Sequence, residues 1–197
     1  MSQRAEAPRP ATALRERAAS LLSRAATGMS REDAARWKTA ATMADLGELV
    51  IAWLNGEITQ TPGHCGPPAG ETLPLIDVLT DINRGGFVTD NSQLAESMDG
   101  RTWNTWVAGF AADETLARIR AAVAGTPLTV QACRGRAHEC RPSRAFLQPC
   151  PRKDSVGFWA DACPDAADVL RDAWWVHVED PQPGRNSMWP ILAAALH

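Results

Sequence analysis

The chain has 197 residues, of which 45% are hydrophobic and 22% charged, a composition typical of one globular domain with a substantial core. Its net charge of −3 gives no electrostatic attraction to nucleic acid, and no apolar run approaches the roughly 18 residues of a membrane span. The N-terminus lacks the hydrophobic stretch of a signal peptide, so we expect a cytoplasmic protein. The abundance of Ala and Arg is typical of a high-GC bacterial genome.

The first 29 residues differ in composition from the rest of the chain. Residues 1–10 are polar and Pro-containing, whereas residues 11–26 are rich in Ala and Arg and carry leucines on one stripe. This pattern predicts a tail and an amphipathic helix over 1–29, followed by a single domain over 30–197. The helix either packs on that domain or serves as a dimer arm, so a homodimer is one alternative.

Hydrophobic periodicity along the domain alternates between helical and strand spacing. Capping and three- to four-residue spacing predict one helix that begins near Ser30 and a second that ends at Gly56. They also predict helices from Thr72 to Gly85, from Asp113 to Gly125, over 165–173 and over 188–196. Alternating or short apolar runs predict strands at 87–89, 103–109, 128–133, 156–159 and 174–178. The order of these elements predicts a mixed α/β fold of the α+β kind.

The stretch Glu71–Gln93 has the most distinctive pattern in the chain. A helix with one apolar face begins near Thr72, where free backbone N–H groups accumulate, and stops at a Gly-Gly pair. One of the two glycines is expected to adopt the left-handed conformation that ends helices. A short strand over 87–89 follows, and the polar run 90–93 has the composition of a turn.

Three motifs stand in order within this stretch: Gly70-Glu71-Thr72, Asn83-Arg84-Gly85-Gly86 and Val88-Thr89-Asp90-Asn91-Ser92-Gln93. Together they resemble the C-terminal regulatory domain of eukaryotic methylenetetrahydrofolate reductase, which binds S-adenosylmethionine (SAM). Weaker similarity in the same order extends over residues 35–197, including an Arg-x-x-x-Gln-Pro run at 144–149 and the Phe-Trp pair at 158–159. The resemblance implies the fold of that regulatory domain rather than a Rossmann methyltransferase fold, and no G-x-G-x-x-G motif is present.

The resemblance also implies a ligand site for SAM or S-adenosylhomocysteine. The residues that it assigns to the site are Gly70, Glu71, Thr72, Thr89, Ser92, Gln93 and Cys150, where Cys150 replaces a threonine of the family. A carboxylate such as Glu71 suits the ribose hydroxyls or the ammonium group of the ligand, and the three hydroxyl side chains can donate to its carboxylate.

Two functions are compatible with such a site. In the reductase the domain senses SAM for a catalytic barrel, so this chain is expected either to transfer the methyl group to a small-molecule acceptor or to sense SAM for a partner protein. For methyl transfer we expect an acceptor pocket walled by Cys150 and by one or more of Trp103, Trp106 and Trp159. No residue is assigned a catalytic role.

The histidines and cysteines favour structural roles. Cys133, His138 and Cys140 are close in sequence, but their spacing is not C-x-x-C and no second pair completes a tetrahedral site, so no metal is expected. Five cysteines in a cytoplasmic protein indicate free thiols. His64 lies in a Pro- and Gly-rich loop, where a lone histidine is usually only solvated. His177, in a predicted strand, is more typical of a structural histidine than of a catalytic base.

Overall fold

The computed structural model describes residues 29–95, 97–98, 101–134, 137–138 and 152–197, and the fold below is that of the compact unit Arg31–His197. The predicted tail and helix over 1–28, the dimer arm and Cys150 lie outside the described residues. The domain boundary near residue 30 therefore stays a prediction.

Helices and strands both occur throughout the described residues, as the periodicity predicts. The helices are α1 Arg31–Lys38, α2 Met43–Leu54, α3 Ile76–Arg84, α4 Asp113–Val123, α5 Arg152–Ala162, α6 Ala167–Asp172 and α7 Met188–Leu196. The strands are β1 Phe87–Gln93, β2 Ser97–Met98, β3 Arg101–Thr102, β4 Trp106–Ala111, β5 Thr129–Arg134, β6 Ala137–His138 and β7 Trp174–Glu179. Two 3₁₀ turns, Leu73–Leu75 and Pro164–Ala166, run directly into α3 and α6.

The main sheet has the strand order β1-β4-β7-β5-β6, and every neighbouring pair is antiparallel. Strands β2 and β3 pair separately as a short hairpin. Among the described strands β1 therefore lies at one edge of the main sheet. An antiparallel sheet confirms the mixed α+β class and differs from the parallel sheet of a Rossmann fold.

The two faces of the sheet are covered by different helices. Helices α3 and α4 pack on the sheet, and α7 packs across both of them. At one end of the opposite face, Phe110 of β4 makes edge contacts with Trp175 of β7 and with Trp159 of α5. Trp159 in turn contacts Trp37 of α1, so these aromatic side chains form a second buried layer.

Two glycines mark positions where a side chain would not fit the backbone. Gly86 ends α3 with φ of 87°, the left-handed conformation that the Gly-Gly pair predicts. Gly109 lies in the middle of β4, where an added Cβ would come within 2.1 Å of the carbonyl oxygen of Val88 on β1. The edge strand β1 can approach β4 this closely only because Gly109 has no side chain.

Two predicted elements are wrong in type. Residues 156–159 lie in helix α5, not in a strand, with Trp159 buried and Phe158 58% exposed. A four-residue apolar run does not distinguish a strand from one turn of a helix. Residues 90–93 were predicted as a turn but continue β1 up to Gln93, with a bulge between Thr89 and Asn91. Pairing with β4 outweighs the turn preference of these polar residues.

One predicted boundary also differs from the structure. The strand predicted at 103–109 begins only at Trp106, because 103–105 form a connection between hairpin β2–β3 and β4. Helix α2 begins with a capping box, in which Thr42 and Asp45 cap each other's backbone N–H groups. The Asp33 carboxylate accepts a hydrogen bond from the Thr59 backbone N–H, which ties α1 to the loop after α2.

Candidate functional site

A small cleft lies beside edge strand β1, between the end of α2, the loop before α3 and α3 itself. We call it the Glu71 cleft. It is lined by Trp53, His64, Ala69, Glu71, Thr72, Leu79, Thr89, Asp90, Asn91 and Ser92. Four of the residues that the resemblance assigns to a ligand site, Glu71, Thr72, Thr89 and Ser92, therefore line the same cleft although they come from two separate segments.

The loop wall of the Glu71 cleft is held by Trp53. Its indole Nε1 donates to the carbonyl oxygen of Gly66 at 2.9 Å, and its ring meets the His64 imidazole edge-on at 5.5 Å. The backbone N–H of His64 donates to the hydroxyl of Thr61 at 2.9 Å, which closes the turn that precedes it. These contacts fix the conformation of a Pro- and Gly-rich loop, which the composition of the sequence alone does not predict.

Glu71 and Thr72 stand at the start of the 3₁₀ turn that leads into α3. The Thr72 backbone N–H donates to the carbonyl oxygen of Ala69, and the Thr72 carbonyl oxygen accepts from the Leu75 N–H. The Thr72 side chain is buried and makes no capping hydrogen bond, whereas Glu71 is exposed. The cleft thus has a carboxylate at its mouth and a hydroxyl in its wall.

On the strand side, Asn83 determines how the Thr89 hydroxyl can be used. The Asn83 amide donates to Thr89 Oγ1 at 2.9 Å and to the carbonyl oxygen of Leu79 at 2.8 Å, while its own oxygen accepts from the Thr89 backbone N–H at 3.0 Å. A hydroxyl has one proton and two lone pairs, and the bond from Asn83 occupies a lone pair. The proton of Thr89 is therefore available for donation to a ligand.

The bulge in β1 turns Asp90 away from the regular pattern and towards α5. Its carboxylate accepts from the Trp159 indole at 2.7 Å and from the Ser155 hydroxyl at 3.0 Å. Loop residue Gly63 packs so closely that an added Cβ would lie 2.2 Å from Asp90 Oδ1. Asp90 therefore joins β1, α5 and the loop before α3, and its oxygen atoms are used for that structural task.

The volume of the Glu71 cleft is about 60 Å³. Pockets that enclose a whole small ligand are larger, typically about 300–1,000 Å³. The described walls can therefore surround one end of a ligand as large as SAM, but not the entire molecule.

The remaining residues assigned by the resemblance lie elsewhere. Gly70 is exposed and does not line the Glu71 cleft, and an added Cβ there would touch nothing within 4 Å. Gln93 faces another cleft, where its side-chain oxygen accepts from the Trp106 indole at 2.9 Å. Cys150 lies outside the described residues. Of the three tryptophans of which one or more were expected to wall an acceptor pocket, Trp159 is fully buried and contacts Trp37 and Phe110.

A second and larger cleft, of about 440 Å³, opens where β1, β4 and β7 meet the connection before β4. We call it the Glu179 cleft. It is lined by Gln93, Thr102, Trp103, Asn104, Trp106, His177 and Glu179. It contains Trp103 and Trp106, two of the three tryptophans expected in an acceptor pocket.

Glu179 is the charged group of this second cleft. Its carboxylate accepts from the Asn104 amide at 2.7 Å and lies 3.9 Å from the His177 Nε2. The adjacent His177 imidazole lowers the pKa of Glu179, burial opposes this by raising it, and the hydrogen bond from Asn104 lowers it further, with a net pKa below the ordinary value. The carboxylate is therefore ionised at neutral pH.

Neither a metal-binding cluster nor a membrane-spanning helix occurs in the part of the chain that the structure describes. There, no group of three or more His, Cys, Asp and Glu side chains is placed to hold a metal ion. The side chains of His138 and Cys140 lie outside that part. None of the described helices combines the length and the apolar character that crossing a bilayer requires.

Comparison with known sequences assigns residues 32–141 to a family described as a domain of unknown function, DUF6919. The match covers more than half of the chain. The chain belongs to the DUF6919 family. The matched region contains every residue that lines the Glu71 cleft but ends before β7, so His177 and Glu179 lie beyond it. No curated protein sequence matches the chain.

Several residues that shape the clefts carried little sequence signal. Asn83 appeared only as part of a motif, and nothing in its neighbours predicts that it would bond Thr89 across a helix end. Trp53 fitted the apolar face of α2, although its indole N–H also holds the loop. Glu179 follows a strong strand, and a single acidic residue at a strand end is ordinary. An indication was available for Glu179, since the two-residue period places it on the same face as His177.

Proposed function

We propose that the protein binds SAM or S-adenosylhomocysteine, with the amino-acid end of the ligand in the Glu71 cleft. The observation that carries this proposal is the convergence of Glu71 and Thr72 with Thr89 and Ser92 on one cleft. The two halves of the motif are 17 residues apart in the chain. If the motif resembled a SAM site only by coincidence, there would be no reason for both halves to line the same cleft.

The chemistry of the lining suits an amino acid. The Glu71 carboxylate can accept from the ammonium group of the ligand in a charge-assisted hydrogen bond. The hydroxyls of Thr72, Thr89 and Ser92 can donate to its carboxylate, and Asn83 leaves the Thr89 proton available for that purpose. The small volume of the cleft matches a ligand end rather than a nucleoside.

We favour methyl transfer to a small molecule as the use of this ligand. Transfer depends mainly on holding the acceptor in line with the methyl group, which requires a second open pocket near the first. Ser92 lines the Glu71 cleft and Gln93, the next residue of β1, lines the Glu179 cleft on the opposite face, so an acceptor in the larger cleft would have to reach the methyl group around edge strand β1. The larger cleft has the size expected for a small acceptor.

A non-catalytic SAM sensor is the second candidate, and the contacts of Asp90 favour it. Asp90 follows Thr89 in the cleft wall and bonds Ser155 and Trp159 of α5. The outer side of α5 carries the exposed Phe158. A ligand that shifts the bulge in β1 would therefore act on a helix that a partner protein can contact, provided that the ligand prefers one of the two arrangements.

The binding proposal is tested by calorimetry with SAM and S-adenosylhomocysteine. In Glu71→Ala we expect about ten- to hundredfold weaker binding, because a charge-assisted hydrogen bond is lost. The matched control is Asp77→Ala, which removes an exposed carboxylate of α3 that does not line the cleft. Unchanged affinity in a folded Glu71→Ala protein would refute the placement of the ligand, and no binding by the wild type would refute the proposal itself.

Enzyme and sensor are separated in two ways. Mass spectrometry of SAM incubated with the protein and candidate acceptors detects S-adenosylhomocysteine if the methyl group is transferred. A structure with bound S-adenosylhomocysteine then shows the surroundings of the sulfur atom. A sulfur enclosed on all sides, without a cavity for an acceptor, would contradict methyl transfer and favour the sensor.

A further inference from the structure

The Glu179 cleft has features of a binding site in its own right, whatever occupies the Glu71 cleft. Its volume of about 440 Å³ is within the range of small-ligand pockets. Strand register builds it, because Gln93, Trp106 and Glu179 stand opposite one another on neighbouring strands β1, β4 and β7. His177 lies on the same face two residues before Glu179.

The same sheet face is closed at one end and open at the other. At the closed end, Phe110 and Trp175 are covered by Trp159 of α5. At the open end, Trp106 stacks on His177 with ring centroids 5.4 Å apart and an angle of 28° between the rings, and Trp106 keeps part of its surface exposed. The open end therefore offers an aromatic surface that no described helix covers.

The rim of the cleft is held in place by the backbone of 103–105. The carbonyl oxygens of Trp103 and Thr105 accept from the N–H groups of Gly184 and Asp180, and the Thr105 hydroxyl donates to the carbonyl oxygen of Gln93. The Trp103 side chain nevertheless remains 48% exposed. A large aromatic side chain at the rim, on a backbone that is already fixed, provides a surface for a ligand without a cost for ordering the backbone.

The charge of the cleft selects the kind of ligand. Glu179 is only 5% exposed, yet its lowered pKa keeps the carboxylate ionised. A buried ionised carboxylate is stabilised by a cation or by hydrogen-bond donors. Among the described lining residues there is no Lys or Arg, and His177 contributes charge only when it is protonated. Tryptophan faces attract cations as well, through the negative charge of the ring face.

We propose that the Glu179 cleft binds a small organic cation, a primary amine or a guanidinium, with the charged group on the Glu179 carboxylate and the carbon skeleton against Trp103 and Trp106. The Asn104 amide holds the carboxylate in position from one side. The amide oxygen of Gln93 accepts from the Trp106 indole, so the N–H₂ group is the part of this lining side chain that can donate to an oxygen next to the cation.

The test compares a cation with its neutral analogue. Phenethylamine, 2-phenylethanol and agmatine are titrated separately into ¹⁵N-labelled protein, and the indole N–H signals of the tryptophans are followed by NMR after assignment with Trp→Phe variants. We expect the signals of Trp103 and Trp106 to shift with phenethylamine and agmatine, and much less with the alcohol. Equal affinities for phenethylamine and 2-phenylethanol, or no binding of either cation, would overturn the proposal.

Two variants and one control sharpen the result. Glu179→Gln keeps the shape of the side chain but removes its charge, so the affinity for both cations should fall about tenfold or more. Trp103→Ala should weaken binding about two- to fivefold without changing thermal stability, because the side chain is exposed. Glu48→Gln removes an exposed charge of α2 outside the cleft and should have no effect.

The outcomes remain decisive if a variant does not fold. A folded Glu179→Gln protein that keeps the wild-type affinity for phenethylamine would show that the carboxylate is satisfied by His177 and would overturn the proposal. If Glu179→Gln is unfolded, Trp103→Ala and the comparison of amine with alcohol decide. SAM is itself a cation, so its binding is followed separately at the indole signal of Trp53, which lines the Glu71 cleft and not the Glu179 cleft. If SAM shifts the signal of Trp53 alone, it binds outside the Glu179 cleft, and the cation proposal is then decided by phenethylamine and agmatine.

Discussion

The side chain of Asn83, a buried amide, should be one of the most important for the stability of this domain. Asn83 is 1% exposed and makes three side-chain hydrogen bonds, two of them to Thr89 and one to the carbonyl oxygen of Leu79. In Asn83→Ala the Thr89 backbone N–H is left buried without a partner, which costs about 1–3 kcal/mol, and two further hydrogen bonds of about 0.5–1.5 kcal/mol each are lost. The expected loss in the free energy of unfolding is therefore about 2–6 kcal/mol.

Urea denaturation followed by circular dichroism measures this change, with Arg84→Ala as the matched control. Arg84 is exposed in the last turn of the same helix, so its removal should cost no more than about 1 kcal/mol through the helix dipole. Because small domains are stable by about 5–15 kcal/mol, Asn83→Ala should remain folded enough to measure. A loss below about 1 kcal/mol, equal to that of Arg84→Ala, would refute the accounting of hydrogen bonds at Thr89.

A companion variant separates the structural role of this contact from its role in ligand binding. Thr89→Val keeps the shape of the side chain and the backbone hydrogen bond to Asn83 but removes the hydroxyl. Its stability should fall by only about 0.5–1.5 kcal/mol, whereas the affinity for SAM should fall about tenfold if the hydroxyl donates to the ligand. A Thr89→Val protein with wild-type affinity for SAM would contradict the donor role.

Two further predictions concern ionisable groups. The pKa of Glu179 is lowered in the folded protein, so its contribution to the free energy of unfolding is present above the ordinary pKa of 4.5 and is lost as the pH falls through the lower folded value. The free energy of unfolding, measured by denaturation from neutral pH down through this window, should accordingly depend less steeply on pH in Glu179→Gln than in the wild type. An equal dependence on pH in the two proteins would contradict the lowered pKa. Burial raises the pKa of the Cys163 thiol to about 12. At pH 8 iodoacetamide should therefore alkylate exposed Cys65 but not Cys163, and peptide mass spectrometry of the labelled native protein measures both. Equal labelling of the two cysteines would contradict the burial of Cys163.

Local pattern was sufficient for most elements of the fold. The stop of α3 at Gly86 depends on one backbone conformation that glycine adopts without strain, and it was predictable from the Gly-Gly pair. The strands β4, β5 and β7 followed from alternation. The exposed and buried sides of α5 were not predictable from Phe158 and Trp159, because one turn of apolar residues suits either a helix or a strand until its neighbours are known.

Four residues of the Glu71 cleft could be named from the sequence, namely Glu71, Thr72, Thr89 and Ser92, but their meeting in one cleft could not be predicted. A helix start and a strand end that follow each other along an antiparallel connection need not be neighbours in space. The loop held by Trp53 and the bulge at Asp90 bring Glu71 and Thr72 to the wall that carries Thr89 and Ser92. Both features depend on contacts between residues far apart in the chain.

The sequence by itself determined most of the elements, because helix periodicity, glycine stops and strand alternation depend on each residue and its nearest neighbours. Only the tertiary structure decided that residues 90–93 form a strand, since an edge strand exists through its hydrogen bonds to β4. The same pairing sends Ser92 and Gln93 to opposite faces, because side chains alternate along a strand. It thereby divides one sequence motif between the Glu71 cleft and the Glu179 cleft.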